Sequence, residues 1–457
     1  MGGSIIEASY SSRAPEANQR SREWPLVAVV ILVAFAARGA WALAVKPQSG
    51  LFDDAGYYDH FARSIAAGNG YRMPWGTPTA FWPVGYPAVL GAVYFVFGPG
   101  LSAAKLLNCV LGAVTAGLTY VLGRQSFTRP QAATGALLFA IMPGSIGFVS
   151  LTLSETLFTM LFVLMVLVFA TAPKHRRDLL MIGALGSVIA AATLVRGQAA
   201  LMPLVAVPWL LLQGWRKSRA YAFSAITLAL VAVLCLPWSV RNSITFHTPL
   251  LLSTNLGVNL WAGHHAGADG GLDFGQQVEF AARFADLDPL EQEPAENREG
   301  WKEALDFAIG HPGQEAVLSG KKVAHLYQED TDALRWNEHN GDAPIFSDTT
   351  RTRLTALFNA SYYICGVLAL AALCTGLLHR QAWAQLLALV TLYWTAVHVV
   401  FFAEPRFHAP LLPLIALLGG VAVVSAIAFA RGRLQALLRR RPGAAGATVL
   451  ENTNAKM

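Results

Sequence analysis

Apolar residues gather in long blocks along this chain, and polar residues fill the gaps between them. A helix needs about 20 residues to cross a bilayer core of about 30 Å. Blocks at or near that length lie at residues 24–45, 101–122, 132–150, 153–172, 179–195, 198–213, 220–239, 354–378, 382–402 and 407–430. A further apolar piece, Phe81 to Gly98, is broken by Pro and Gly and is of marginal length. It reads as a re-entrant or interfacial segment, because irregular backbone at membrane depth must be covered by protein or water. The pattern predicts an all-α polytopic integral membrane protein with about ten transmembrane helices. Ala42-Leu43-Ala44 has the composition of a signal cleavage site. The first block is nevertheless longer than the roughly 7–15 apolar residues of a signal peptide, so a retained span is expected.

Charge orients these spans. Only 14% of the 457 residues are charged and 54% are hydrophobic, against about 25% charged in a soluble domain; the mean hydropathy is +0.44. The net charge of +6 does not point to nucleic acid, because the basic residues cluster in alternate gaps. They are Arg13, Arg20 and Arg22 before the first span, then Arg124/Arg129, Lys174/Arg176/Arg177, Arg216/Lys217/Arg219, Arg380, and the tail from Arg431 to Arg441. The positive-inside bias puts these gaps and both termini in the cytoplasm. Counting Phe81–Gly98 as a span would invert everything after it.

The chain then divides into a cytoplasmic tail at 1–23, a transmembrane core at 24–239 with an external loop at 46–100, an external subdomain at 240–353, C-terminal spans at 354–430, and a basic tail at 431–457. Arg439, Arg440 and Arg441 in that tail suit anionic headgroups. The 240–353 segment holds 18 acidic and 9 basic residues, as an outward soluble-type region would. In it, one helix is expected over 296–309, stopping at Gly310, and another opening with Pro312. Cys109, Cys235, Cys365 and Cys374 all fall in apolar blocks and read as small core residues, not as disulfide partners or metal ligands.

Candidate chemistry lies at the outward ends of the spans. Asp53, Asp54 and Asp59 follow the first span closely. A solvated helix start, where the helix dipole favours acids, would account for them structurally. Glu155 is harder to explain that way, since it opens a span with apolar residues on both sides. An acid there suggests a functional site; the structural alternative is an interfacial cap with Ser154 as N-cap. Lys105, Arg196, Arg241 and Arg406 are lone cations at the same level, the last beside Glu404. Snorkelling explains any one of them, but four together with acids fit a site. A carboxylate can deprotonate a hydroxyl, and guanidinium or ammonium groups can neutralise a phosphate leaving group. Tyr57, Tyr58, Trp75, Trp82 and Trp261 are outer-level aromatics that suit an interface belt or stacking on a sugar. His264-His265 with Asp269 and Asp273 lacks a recognisable metal-ligand spacing. No Walker-type or Gly-x-Ser-x-Gly motif occurs.

Phe52-Asp53-Asp54-Ala55-Gly56-Tyr57-Tyr58, Ala62 to Tyr71, and Pro83-Val84-Gly85-Tyr86-Pro87 together resemble the first external loop of GT-C membrane glycosyltransferases. The nearest group is the bacterial one allied to protein O-mannosyltransferases and the lipid A aminoarabinose transferase (glycosyltransferase family 39-like). The resemblance continues in order through Lys105 and Asn108, Ser154-Glu155-Thr156, Arg196, Pro237 to Asn242, Ser253 to Gly263 with Asn259 and Trp261, and Glu404 to Pro413.

It implies inverting transfer of a sugar, hexosyl or pentosyl, from a polyprenyl-phosphate donor to an extracytoplasmic lipid, glycan or protein hydroxyl, at the cell membrane. Asp53 would be the catalytic carboxylate, with Glu155 and Asp54 beside it. Lys105, Arg241, Arg406 and Arg196 would hold the donor phosphate. Tyr57, Tyr58, Trp82, Asn259, Trp261 and Glu404 would line the substrate site. Where some relatives carry a basic residue before the Pro of the external loop, this chain has Trp82, which moves phosphate binding onto those other cations. No cofactor is expected; a divalent cation such as Mg held by Asp53 and Asp54 is chemically possible but not favoured, and no metal site is expected. A secondary transporter or lipid flippase is the rival reading, and would need repeat symmetry and midplane charges. A scaffold of envelope synthesis is another, and would tolerate loss of Asp53.

Overall fold

A computed structural model of the protein describes residues 13–47, 50, 53–172, 179–338, 344–375 and 381–439, with the side chains of 13–22, 375, 381 and 436–439 not among them. Phe52, the basic residues Lys174, Arg176, Arg177 and Arg380, and the tail beyond Arg439 therefore lie outside the described residues. Every regular element among the described residues is helical, apart from one isolated bridge between Arg72 and Pro78.

Among the described residues, six helices are long and apolar enough to cross a membrane: Glu23–Ala44, Leu101–Arg124, Lys217–Thr245, Asp348–Cys374, Ala382–Val400 and Pro405–Gln435. A seventh candidate is a bent pair, Arg129–Ala140 with Pro143–Ser150, which turns by 48°. Pro143 explains the turn, since it offers no N–H and its ring clashes with a continuing helix. The blocks at 153–172, 179–195 and 198–213 form shorter apolar helices, Glu155–Thr171, Leu179–Val195 and Gly197–Leu212. At 17 residues or fewer, each is about 25 Å long at most. The Phe81–Gly98 piece becomes a helix only over Gly85–Phe97, 13 residues long. It packs on Asp54–Ala66.

Two details differ from the sequence reading. The external helix expected at 296 starts at Pro289. Asp288 caps it by accepting a 2.9 Å bond from the Leu290 N–H, and Pro fits a first turn whose N–H groups have no helical partner. The next helix, Pro312–Tyr327, starts where expected. Cys374 is exposed, while Cys109, Cys235 and Cys365 are buried.

Small residues let the spans approach closely. Arg129–Ala140 packs against Leu412–Arg439 at the Gly135–Gly420 crossing, where a Cβ on Gly420 would sit 2.2 Å from the Gly135 nitrogen. Polar side chains tie span ends together at one face. Lys105 Nζ donates to the carbonyls of Ala42 and Val45, Trp41 Nε1 to Ser150 Oγ at 3.0 Å, and Asn108 Nδ2 to the Leu151 carbonyl at 2.8 Å. That face carries the acids singled out in the sequence.

Candidate active site

The Asp54–Ala66 helix starts the site. Its N-cap is Asp53, whose Oδ1 accepts a 2.6 Å bond from the Gly56 N–H and whose Oδ2 lies 3.3 Å from the Gly50 N–H. This backbone pairing, which suits an acid at a helix start, fixes the direction of the carboxylate. Asp54, next along, faces elsewhere: Oδ1 accepts from Trp82 Nε1 at 3.0 Å and Oδ2 is 3.0 Å from Arg406 Nη1. Trp82 in turn stacks on Tyr57, ring centroids 4.4 Å apart. Tyr58 is buried, edge-on to Tyr86, and burial pushes its hydroxyl pKa up, so it stays protonated.

Glu155 is 2% exposed. Its Oε1 lies 2.6 Å from Arg196 Nη2 and 3.8 Å from Arg406 Nη1. Ser154 makes no side-chain cap; its Oγ accepts from Arg196 Nε at 3.0 Å. The interfacial-cap explanation of this pair therefore fails, and Ser154 instead orients Arg196. Arg406 sits at the centre, 7% exposed, with Nε donating to Glu404 Oε2 at 2.6 Å. Two residues not singled out in the sequence hold it in place. Asp332 Oδ2 accepts from the Arg406 backbone N–H at 2.7 Å, and the Trp336 ring lies 4.6 Å under the guanidinium, a cation–π contact. Both come from the short Asp332–Glu338 helix, on which positions four apart share a face.

Not every predicted cation converges here. Lys105 is committed to the carbonyls of Ala42 and Val45 at the end of the first span, as described above. Arg241 donates to the carbonyls of Thr79 and Tyr71, at 2.7 and 2.9 Å, and lies over Trp238. It thus fastens the external loop. The carbonyl-rich end of a helix and a buried loop backbone are ordinary partners for such cations, and nothing in the sequence distinguishes them from a phosphate. Trp261 donates to Glu303 at 2.9 Å and stacks on His265, in the external region, and Asn259 lies on the same Leu256–Gly263 helix.

Glu293, also missed, joins the 46–100 and 240–353 segments. It is buried, and accepts from Thr79 Oγ1, the Ala80 N–H and Thr254 Oγ1 at 2.6, 3.0 and 2.7 Å. Burial raises its pKa against these bonds, which favour the carboxylate.

His264 and His265 are engaged structurally. The first lies 2.8 Å from Glu315 and the second contacts Gln276, while Asp273 caps a helix. Among the described residues no group of three His, Cys, Asp or Glu side chains is arranged to hold a metal ion.

The cluster thus brings Asp54, Glu155, Glu404, Arg196 and Arg406 together from four distant stretches of chain, at the ends of apolar helices, with Trp82 of the Tyr57–Trp82 stack bonded to Asp54. Guanidiniums shared among carboxylates can exchange a carboxylate for an incoming phosphate.

A family model described as dolichyl-phosphate-mannose-protein mannosyltransferase matches residues 82–240. No curated protein matches the chain. Among solved structures, the archaeal oligosaccharyltransferase AglB from Archaeoglobus fulgidus, in complex with an inhibitory peptide and a dolichol-phosphate, aligns with a TM-score of 0.52 at 15% identity, covering 94% of this chain and 53% of that one. The same archaeal enzyme in complex with Zn and sulfate gives 0.52 at 14% identity, over 91% and 52%. ArnT from Cupriavidus metallidurans, bound to undecaprenyl phosphate, covers 87% of this chain and 77% of that one at 15% identity, with a TM-score of 0.41, too low to read a shared fold from. The chain spans about half the length of the AglB chains it matches, and at these identities the likeness is one of fold.

Proposed function

We propose that this chain, which has the fold of GT-C membrane glycosyltransferases, transfers a sugar from a polyprenyl-phosphate donor to an acceptor hydroxyl on the outer side of the cell membrane. The observation that carries this reading is the convergence of Arg196 and Arg406 with Asp54, Glu155 and Glu404 where apolar helices end. AglB was solved with an inhibitory peptide and a dolichol-phosphate, and the latter is a polyprenyl phosphate of the class proposed here as donor carrier.

In this reading the three short apolar helices also cross, giving ten spans, with 46–100 and 240–353 outside and both termini in the cytoplasm. Arg406 and Arg196 take up the charge that develops on the departing phosphate. Asp54, Glu155 and Glu404 hold those guanidiniums in place before the donor arrives. Asp53, oriented by the backbone amides at the helix start, takes the proton of the acceptor hydroxyl. Attack from the face opposite the phosphate inverts the anomeric carbon. The Tyr57–Trp82 stack lines the sugar side. Lys105 and Arg241 act as fasteners of the span end and the loop, outside the phosphate site. No metal enters this reading, in which Arg196 and Arg406 meet the leaving phosphate once it displaces carboxylates from them. The acceptor class and the sugar are left to a donor panel.

The test is donor binding. Polyprenyl phosphate added to the purified protein in detergent should raise its melting temperature, and Arg406→Gln should remove most of that rise while leaving the protein folded. Equal stabilisation of wild type and Arg406→Gln would overturn the phosphate assignment.

A further inference from the structure

Below Glu155, within the helix bundle, lies a second charged residue without an acid beside it. Arg38 is fully buried, six residues before the end of the first span, about 9 Å along the helix axis. Its Nη1 donates to the carbonyls of Ala34 and Ala140 and its Nη2 to Ser145 Oγ, while the Phe139 ring lies 5.2 Å away. Gly112 makes room for it, since a Cβ there would stand 2.2 Å from Arg38 Nε. That Nε has no hydrogen-bond partner among the described residues.

Arg38 and Glu155 line the same cavity, with Thr115, Ser145, Thr156 and Thr159 among its other walls. Both carboxylate oxygens of Glu155 and the Thr156 hydroxyl are also buried without a hydrogen-bond partner among the described residues; the Arg196 contact to Glu155 is an ion pair out of hydrogen-bond alignment. Buried polar groups nearly always find a partner, and water is the usual one where space and several donors and acceptors coincide. The cavity has room for one water molecule. Charge gives a second, independent argument. Asp54, Glu155 and Glu404 carry three negative charges against two from Arg196 and Arg406, which leaves a surplus of one. Arg335 does not remove that surplus, being shared between Asp332 and Glu329.

We infer that this cavity is a buried hydration site in which a water molecule links Arg38 to Glu155 and Thr156, so that Arg38 balances the surplus negative charge of the acidic cluster from inside the bundle. Arg38 is then a positioning residue acting through Glu155. Only its effect on turnover rests on the glycosyltransferase reading; the coupling of the two charges does not.

The experiment is a double-mutant cycle on the full chain in lipid nanodiscs, read by thermal unfolding, with Arg38→Met, Glu155→Gln and the two combined. Coupled charges predict that the combined variant melts above the sum of the two single shifts by about 3 °C or more. If Arg38→Met alone yields no folded protein, adding Glu155→Gln should restore it. Strictly additive shifts, or no restoration, would overturn the inference. Arg38→Lys should recover part of the coupling, and Thr156→Val should weaken it. In a transfer assay Arg38→Met should lower kcat about tenfold with donor KM unchanged. Coupling without any transfer in wild type would leave the hydration site standing and remove the proposed function instead.

Discussion

At the scale of single residues, two adjacent aspartates have separate tasks. Asp53 accepts from backbone amides at a helix start, whereas Asp54 bridges Trp82 and Arg406. Asp54→Asn keeps an oxygen for the Trp82 N–H and removes the charge that competes with phosphate for Arg406. This variant is expected to bind polyprenyl phosphate at least as tightly as wild type and to keep transfer within about tenfold, because the general base is intact. A donor affinity that falls with Asp54→Asn would show the pair to be a donor contact and not a placeholder. Neighbours in sequence, the two acids were separated there by the family resemblance alone. Their difference follows from the helix start turning one side chain back on the chain and the other towards Arg406.

At the scale of elements, the spans were legible because a bilayer forces apolar runs of fixed length, and the outermost charges stood out against them. Glu155, Arg196 and Arg406 were visible for that reason. Arg38 was not singled out, although a lone cation six positions inside an apolar block was its signal; averaging over the block hides one charge. Asp332 and Trp336 carried no signal, since their importance comes from a chain reversal that lays a seven-residue helix beneath Arg406. Lys105 and Arg241 looked like Arg406 in sequence, and only the positions of the carbonyls they meet separate them. Packing between elements is equally specific. Gly420→Val would push a side chain into the Gly135 backbone, and overpacking of this kind costs about 1–3 kcal/mol. Its melting temperature should fall measurably below that of Gly420→Ala, which inserts less.

At the scale of the whole molecule, the apolar helices and the 240–353 segment are joined around one site. Glu293 holds Thr79, Ala80 and Thr254 together, and the Asp332–Glu338 helix reaches from that segment to Arg406. Stability of this arrangement should depend on pH through Glu296, whose pKa is pushed up to about 7 by burial and by neighbouring Glu293. A carboxyl with a raised pKa favours folding while it is protonated in the fold. Its contribution is therefore complete below the ordinary value near 4.5 and is lost as pH rises through about 7. Denaturation followed between pH 5 and 8 should show stability falling with pH, and Glu296→Gln should flatten that slope. An unchanged slope would place the titrating group elsewhere.

The most direct test of the central claim is transfer itself. Purified protein in nanodiscs would be given a panel of radiolabelled polyprenyl-phosphate sugars and membrane extract as acceptor, with wild type compared against Asp53→Asn at equal folded amount. The proposed base predicts label moving to acceptor in wild type and a loss of about a hundredfold or more in Asp53→Asn. Undiminished transfer in Asp53→Asn would contradict the assigned mechanism, and absence of transfer from every donor would contradict the assigned activity.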